Sequence, residues 1–204
     1  MHWFVCLVAI GFVFFANADA EPPAATFGTT VVIPSGLRGL IYRIRRYTKA
    51  VPDFAKRKPI GTIYTPSLNV PPQDFKIGFP GVTKRNEWFA IDYTGKFWIG
   101  KPGLYRFSLL SDDGALLYID DRLVIDNDGP HPPRMLEGTV DLSDGIHRIR
   151  VPYFQGRRFQ VALVLKIAGP GESYRIFSTD EFKPPSNPDD WVHPRPSKAE
   201  MPLQ

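Results

Sequence analysis

Cysteine is almost absent from this chain: its 204 residues include only Cys6. One cysteine cannot close an intramolecular disulfide, and cysteine-based zinc sites need several thiolates. Disulfide scaffolds and thiolate zinc folds are therefore excluded. The fold must rest on a hydrophobic core, and a chain of this length can bury enough apolar surface to form one.

Apolar runs long enough to cross a membrane are also missing. Residues 4–15 (FVCLVAIGFVFF) are apolar, but the run is shorter than the roughly 20 residues of a membrane-spanning helix. The small-residue pattern at 18–20 (ADA) follows it and is typical of a cleavage site. The sequence therefore predicts a secretory signal peptide cut after Ala20. It predicts an exported protein, periplasmic, extracellular or on the cell surface, with no membrane span after cleavage.

Helical periodicity and catalytic motifs are absent from the sequence as well. We find no useful length of helical pattern and no internal repeat. The sequence has no G-x-S-x-G motif, no paired-histidine zinc motif and no glycine-rich phosphate loop. Pairs of aspartates, which a glycosidase would need, all stand in turn contexts. We therefore expect a protein that is not an enzyme.

Short strand-like segments between turn residues make up most of the chain. Glycine (17) and proline (21) are frequent, which favours turns over long helices. Apolar side chains alternate with polar ones along 104–110 (LYRFSLL), and alternate positions are also apolar along 161–167 (VALVLKI). Tight turns are predicted at 101–103, Asp121 and 143–145. The pattern predicts an all-β protein, an antiparallel β-sandwich or barrel with few or no helices.

The composition divides the chain into four parts. We expect a signal peptide at 1–20, a short lead-in at 21–35, the β-domain at 36–182, and a proline-rich tail at 183–204. The tail has little apolar content and is predicted to be disordered. Within the β-domain, segment 48–86 contains six prolines and is expected to pack as ordered loops and short strands.

Acidic residues collect in one stretch, although the chain has a formal net charge of +4. Residues 111–131 (SDDGALLYIDDRLVIDNDGPH) hold six aspartates: Asp112, Asp113, Asp120, Asp121, Asp126 and Asp128. Adjacent carboxylates can form a hard-oxygen Ca²⁺ site, with backbone carbonyls, an asparagine and waters completing the shell. Aspartates and glycine equally build turns, with Gly114 supplying a positive φ. Both interpretations of Ser-Asp-Asp-Gly stay open.

Several separated motifs resemble the PA-14 domain family, named for the protective-antigen toxin component. The matching pieces are Thr94-Gly95, Gly103 to Phe107, Ser111 to Gly114, Leu117 to Asp120, Leu123 to Asn127, Gly138 to Leu142 and Ile149 to Gln155. The resemblance covers roughly 36–182 and implies an antiparallel β-barrel or sandwich. It also implies carbohydrate binding, the inference shared by members in yeast adhesins and by inserts in glycosidases.

The resemblance also implies a calcium site. In the adhesins, two adjacent aspartates joined by a cis peptide bond hold a Ca²⁺ that coordinates sugar hydroxyls, and an asparagine completes the site. The expected metal ligands here are Asp112, Asp113, Asn127 and Asp126, and the expected carbohydrate-binding residues are Asp112, Asp113, Asn127 and His131. The adhesins carry cysteines near this loop, and this chain does not. Asp126 and Asn127 could equally build their loop, and His131 could cap a turn.

Aromatic residues could stack on sugar rings if they are exposed. The candidates are Trp88, Trp98, Tyr153 and Phe154. In strands, aromatic side chains are mostly buried in the core. Sequence alone does not say which face of a strand each of them takes.

Basic residues cluster between Arg38 and Lys49, and Arg157 and Arg158 could join them. Solvated strand faces are the simpler interpretation, and an acidic polysaccharide is the functional one. We expect no nucleic-acid partner for an exported protein. The leading hypothesis is a non-catalytic carbohydrate-binding module whose partner is a glycan or polysaccharide. The alternative is a protein-interaction or cell-envelope structural module in which the Asp pair is purely structural.

Overall fold

A computed structural model describes residues 36–82, 85–157 and 159–184 of the chain. The expected signal peptide and lead-in, and nearly all of the proline-rich tail, lie outside the described residues. Within these three ranges, no helix is long and apolar enough to cross a membrane.

The described residues form eleven strands and two short 3₁₀ helices. The strands are β1 (Leu37–Arg43), β2 (Gly61–Thr65), β3 (Asn69–Asp74), β4 (Phe89–Ile99), β5 (Gly103–Asp112), β6 (Ala115–Ile119), β7 (Arg122–Asn127), β8 (Arg134–Leu142), β9 (Gly145–Gln155), β10 (Gln160–Ala168) and β11 (Arg175–Ile176). The 3₁₀ helices are Phe54–Lys56 and Phe75–Ile77. Segment 48–86 thus contains short strands and ordered turns, as the sequence predicts.

Two sheets share these strands, and their named pairings are all antiparallel. The first sheet has the order β2-β1-β4-β9-β6-β7. In the second, β5 lies between β8 and β10, and both β3 and β11 pair with β10. Buried side chains of both sheets, such as Ile91 on β4 and Phe107 on β5, form one hydrophobic cluster. The expected all-β antiparallel sandwich is confirmed.

Alternation along the strands decides which side chains enter this core. On β5, Tyr105, Phe107 and Leu109 are buried, whereas Leu104 and Arg106 are exposed. Burying a large apolar side chain contributes about 1.5–3 kcal/mol. A one-residue slip in register would expose all three of these side chains. Their burial energy therefore fixes which face of β5 packs against the core.

The turns predicted at Asp121 and at 143–145 lie where the sequence places them, whereas Gly114 does not have the positive φ expected of it. Asp120 and Asp121 connect β6 to β7 with φ values of 48° and 66°, as in a two-residue type I′ turn. Gly103 and Gly145 begin β5 and β9 with φ values of 141° and 111°. These positive values suit glycine, which has no Cβ to clash with the backbone.

One end of the sandwich collects several strand termini. The chain passes there from β5 in the second sheet to β6 in the first, through Asp113 and Gly114. Strand pairing brings the end of β9 beside the start of β4, with Gln155 opposite Phe89. It also sets the end of β7 beside the start of β6, with Asn127 opposite Ala115. The aspartate-rich segment therefore lies near two strand ends from elsewhere in the chain, the end of β9 and the start of β4.

Candidate functional site

Asp112 and Asp113 lie at this end of the sandwich, at the crossing between the sheets. The peptide bond that joins them is cis, as the resemblance implies. Each residue is only 6% exposed. Two carboxyl groups therefore lie side by side in a largely buried position, where a charge needs a partner.

Asp113 finds its partners in the protein. Its Oδ2 accepts a hydrogen bond from the backbone N–H of Gly156 at 2.7 Å, and its Oδ1 accepts one from the N–H of His131 at 3.3 Å. Burial raises the pKa of Asp113, and these two bonds and the His131 ring partly offset the increase. The carboxylate thus ties the end of β9 to the loop that follows β7.

Asp112 differs from its neighbour in this respect. Its backbone carbonyl lies 2.7 Å from the hydroxyl of the buried Tyr153. Its carboxylate accepts no hydrogen bond from the described residues. Burial, and next the charge of Asp113, raise the pKa of Asp112 to about 7. At neutral pH a proton or a cation is therefore needed to compensate the buried charge of this carboxyl group, and the described residues supply neither.

Asn127 is held by hydrogen bonds within the protein. It is fully buried, and its Nδ2 donates to Ser111 Oγ and to the Arg134 carbonyl, both at 2.9 Å. Its Oδ1 accepts a hydrogen bond from Arg134 Nε at 2.7 Å. The side-chain amide thus joins β7 to β5 and β8, and both its nitrogen and its oxygen have partners in the protein.

Asp126 and His131 are also engaged locally. Asp126 is exposed, and its Oδ1 accepts from the N–H of Asp128 at 3.1 Å, which shapes the turn. The ring of His131 lies between two backbone carbonyls, those of Asn127 at 3.0 Å and Pro132 at 2.9 Å. No group of three or more His, Cys, Asp or Glu side chains in the described ranges could hold a metal ion.

Of the predicted site residues, the structure brings together Asp112, Asp113 and the backbone of His131. It does not add Asp126 or the Asn127 amide to the pair. The donor Gly156 and the fully buried Tyr153 complete the surroundings, and sequence reasoning missed both roles. No local signal marks either role, since each partner is more than 40 residues away from the pair.

The aromatic candidates are mostly buried, as expected for rings in strands. Tyr153 and Phe154 are fully buried and Trp88 is 8% exposed, while Trp98 is half-buried. The exposed rings at this end are instead Tyr47 and Phe159, at 76% and 78%. Both stand between strands rather than within them, and that position is the signal that could have found them.

Comparison with known proteins decides the family. The PA14 domain family model matches residues 69–181, more than half of the chain. The chain belongs to the PA14 domain family. A search of curated proteins finds no match.

Solved structures share the PA14 fold. The PA14 domain of the MpAFP antifreeze protein is 16% identical with a TM-score of 0.61, over 72% of this chain and 88% of that one. A PA14 sugar-binding domain from an RTX adhesin is 18% identical with a TM-score of 0.59, over 72% and 96%. An anti-sigma factor domain-containing protein is 21% identical with a TM-score of 0.59, over 76% and 50%. This chain therefore spans about half the length of that last protein.

Proposed function

We propose that this PA14 chain is an exported, non-catalytic carbohydrate-binding module that holds Ca²⁺ at Asp112 and Asp113. One observation carries the proposal: the Asp112 carboxylate is largely buried, beside a second carboxylate, and accepts no hydrogen bond from the described residues. A divalent cation would compensate both charges. The expected signal peptide, residues 1–20, supports export.

The donor set suits calcium. Ca²⁺ takes six to eight oxygen ligands and accepts carboxylates, carbonyls, waters and hydroxyls in flexible geometry. Asp112 would offer both oxygens, and Asp113 Oδ1 retains a lone pair beyond its bond to His131, while Oδ2 accepts from Gly156 and Gln155. Asn127 and Asp126 are committed elsewhere, so we restrict the proposed side-chain ligands to the pair. The bound ion supplies a site at which sugar hydroxyls can replace water.

The sugar-binding domain of the RTX adhesin supports a saccharide as the ligand, since it has the same fold as this chain. The chain's own residues would orient the sugar. His131 is half-buried next to Asp113 and stays a candidate for sugar contact.

Calcium titration of the full chain by calorimetry tests the proposal, with a glycan array run with Ca²⁺ and with a chelator. We expect saturable Ca²⁺ binding, a higher melting temperature in Ca²⁺, and sugar binding that the chelator removes. Asp112→Asn with Asp113→Asn should abolish Ca²⁺ binding. Asp126→Asn, an exposed aspartate that lies nearby in sequence, is the matched control and should bind as the unmodified chain does.

Absence of binding at millimolar Ca²⁺ would contradict the calcium site, and so would binding that survives the double substitution. The bonds from Gly156 and His131 to Asp113 favour a second candidate, a protein-interaction or envelope-structural module. In that case the Asp pair only joins strand ends. The double variant would then melt at a lower temperature, and Ca²⁺ would have no effect on either protein.

A further inference from the structure

A cleft beside the Asp pair combines exposed aromatic rings with arginines. It encloses about 420 Å³ and is lined by Arg46, Tyr47, Glu87, Trp88, Arg157 and Phe159; we call it the Arg-aromatic cleft. Ligand pockets commonly measure about 300–1,000 Å³. We propose that the Arg-aromatic cleft binds an anionic saccharide, one that carries carboxylate or sulfate groups. This inference rests on the proposed function for the ligand being a saccharide.

Two of the three rings in the cleft are exposed to solvent. Tyr47 and Phe159 are 76% and 78% exposed. The Tyr47 ring lies 5.8 Å, centroid to centroid, from the ring of Trp88, which closes the floor at 8% exposure. Exposed aromatic faces of this kind offer apolar surface to the C–H face of a sugar ring.

The backbone of the cleft is held in unusual conformations. Tyr47, Trp88 and Phe159 have φ values of 65°, 60° and 151°. In the described residues, positive φ at a non-glycine position otherwise occurs only in the β6–β7 turn. Bulky residues pay a steric penalty there, and such conformations concentrate at functional sites. The fold therefore holds three aromatic side chains in this cleft against local preference.

The charge of the cleft favours an anion. Arg46 and Arg157 are both exposed, and neither has an ion-pair partner in the described part of the chain. Glu87 is the one acidic lining residue, and it already interacts within the protein. A guanidinium group presents a planar fork of donors that matches a carboxylate or a sulfate.

The Arg-aromatic cleft is next to the proposed calcium site. The Gly156 N–H donates to Asp113 Oδ2 at 2.7 Å, while its carbonyl accepts from the Trp88 N–H at 3.3 Å. A Cβ placed on Gly156 would lie 3.1 Å from Asp113 Oδ2 and 3.6 Å from Trp88 Cζ3. One buried residue, Gly156, thus separates the Asp113 carboxylate from the Trp88 ring, which places the cleft and the Asp pair at the same end of the sandwich.

Biolayer interferometry with immobilised polysaccharides tests the inference on the full chain in Ca²⁺. The probes are polygalacturonate, which carries carboxylates, dextran sulfate, and neutral galactan and dextran. We expect at least tenfold tighter binding to one of the anionic probes than to its neutral counterpart. Comparison of polygalacturonate with dextran sulfate shows whether the cleft binds carboxylate or sulfate groups.

Variants assign the binding to the cleft. Arg46→Gln with Arg157→Gln should weaken anionic binding at least about tenfold and leave neutral binding unchanged. Phe159→Ala should weaken both. Arg122→Gln removes an exposed arginine on β7, at the far end of the β6–β7 hairpin from Gly114, and should change binding less than twofold.

Two results would overturn the inference while leaving the proposed function intact. One is sugar binding with no preference for the anionic probes, and the other is equal loss in the Arg122 control and the double variant. No binding to any glycan, on the array or on these probes, would instead overturn the proposed function and this inference with it.

Discussion

At the scale of single residues, the carboxyl group of Asp112 makes the stability of the fold depend on pH. Its pKa is raised from 3.8 to about 7, first by burial and then by Asp113. The folded state therefore binds this proton more tightly than the unfolded state. Stability from this group is fully present below about pH 4, falls as pH rises, and is lost above pH 7. In the absence of Ca²⁺, the charged pair should destabilise the fold in alkaline solution.

We predict that Asp112→Asn stabilises the chain at pH 8 in a chelator, by about 1–3 kcal/mol, because it removes a poorly compensated charge. Near pH 4 the two proteins should have equal stability. Urea unfolding at both pH values measures the difference, and Ca²⁺ at pH 8 should reverse the order. A gain of the same size at both pH values would show that charge is not the cause.

At the scale of elements, the turn between β6 and β7 is tied to β9 through Asp120. Its Oδ1 accepts from the Arg148 N–H at 2.7 Å, and its Oδ2 lies 2.6 Å from Nδ1 of the buried His147. Burial raises the pKa of Asp120, but these contacts outweigh it, and the pKa is lowered. Its stabilising effect is present above about pH 4 and is lost as pH falls through the lowered pKa.

We predict that Asp120→Asn lowers the free energy of unfolding by about 1 kcal/mol at pH 6, because the carboxylate's bond to His147 is lost, although solvent partly screens a side chain that is 45% exposed. Asparagine tolerates the positive φ of this turn, so backbone strain does not enter. The control Asp121→Asn changes a side chain that is 81% exposed in its pair with Arg148, so about 0.5 kcal/mol or less is expected. Denaturant titrations should show that the loss of unfolding free energy in Asp120→Asn becomes smaller toward pH 3. A loss that stays constant with pH would show that the charge of Asp120 is not its cause.

At the scale of the whole molecule, the folding unit extends beyond the span matched by the family model. Residues 69–181 match, yet β1 precedes them and lies between β2 and β4 in the first sheet. Leu37 on β1 is fully buried, and Ile41 is nearly so. A Cβ on Gly39 would lie 2.7 Å from the Tyr93 ring, which shows how closely β1 packs on β4.

We predict that a chain beginning at residue 69 does not form a stable fold, because loss of β1 uncovers β4 and removes part of the core. Thermal melts followed by near-ultraviolet circular dichroism should show a cooperative transition for the full chain and none for the shortened one. A cooperative melt of the shortened chain within a few degrees of the full chain would place β1 outside the folding unit.

The sequence by itself determined the β architecture and the candidate pair. A period of two, as in Tyr105, Phe107 and Leu109, is a local property that fixes which face is buried whatever the partner strand. The turn at Asp120 and Asp121 is local in the same way. The family motifs likewise identified Asp112 and Asp113 as candidate site residues.

Only the tertiary structure decided which polar groups are already satisfied and which surfaces stay exposed. Asn127 matched the family pattern, but Arg134 and Ser111 use its amide. Tyr47 and Phe159 share a cleft although they are far apart in the chain. The physical reason is that a hydrogen bond or a cleft depends on contacts between distant residues, whereas strand and turn signals depend on neighbours along the chain.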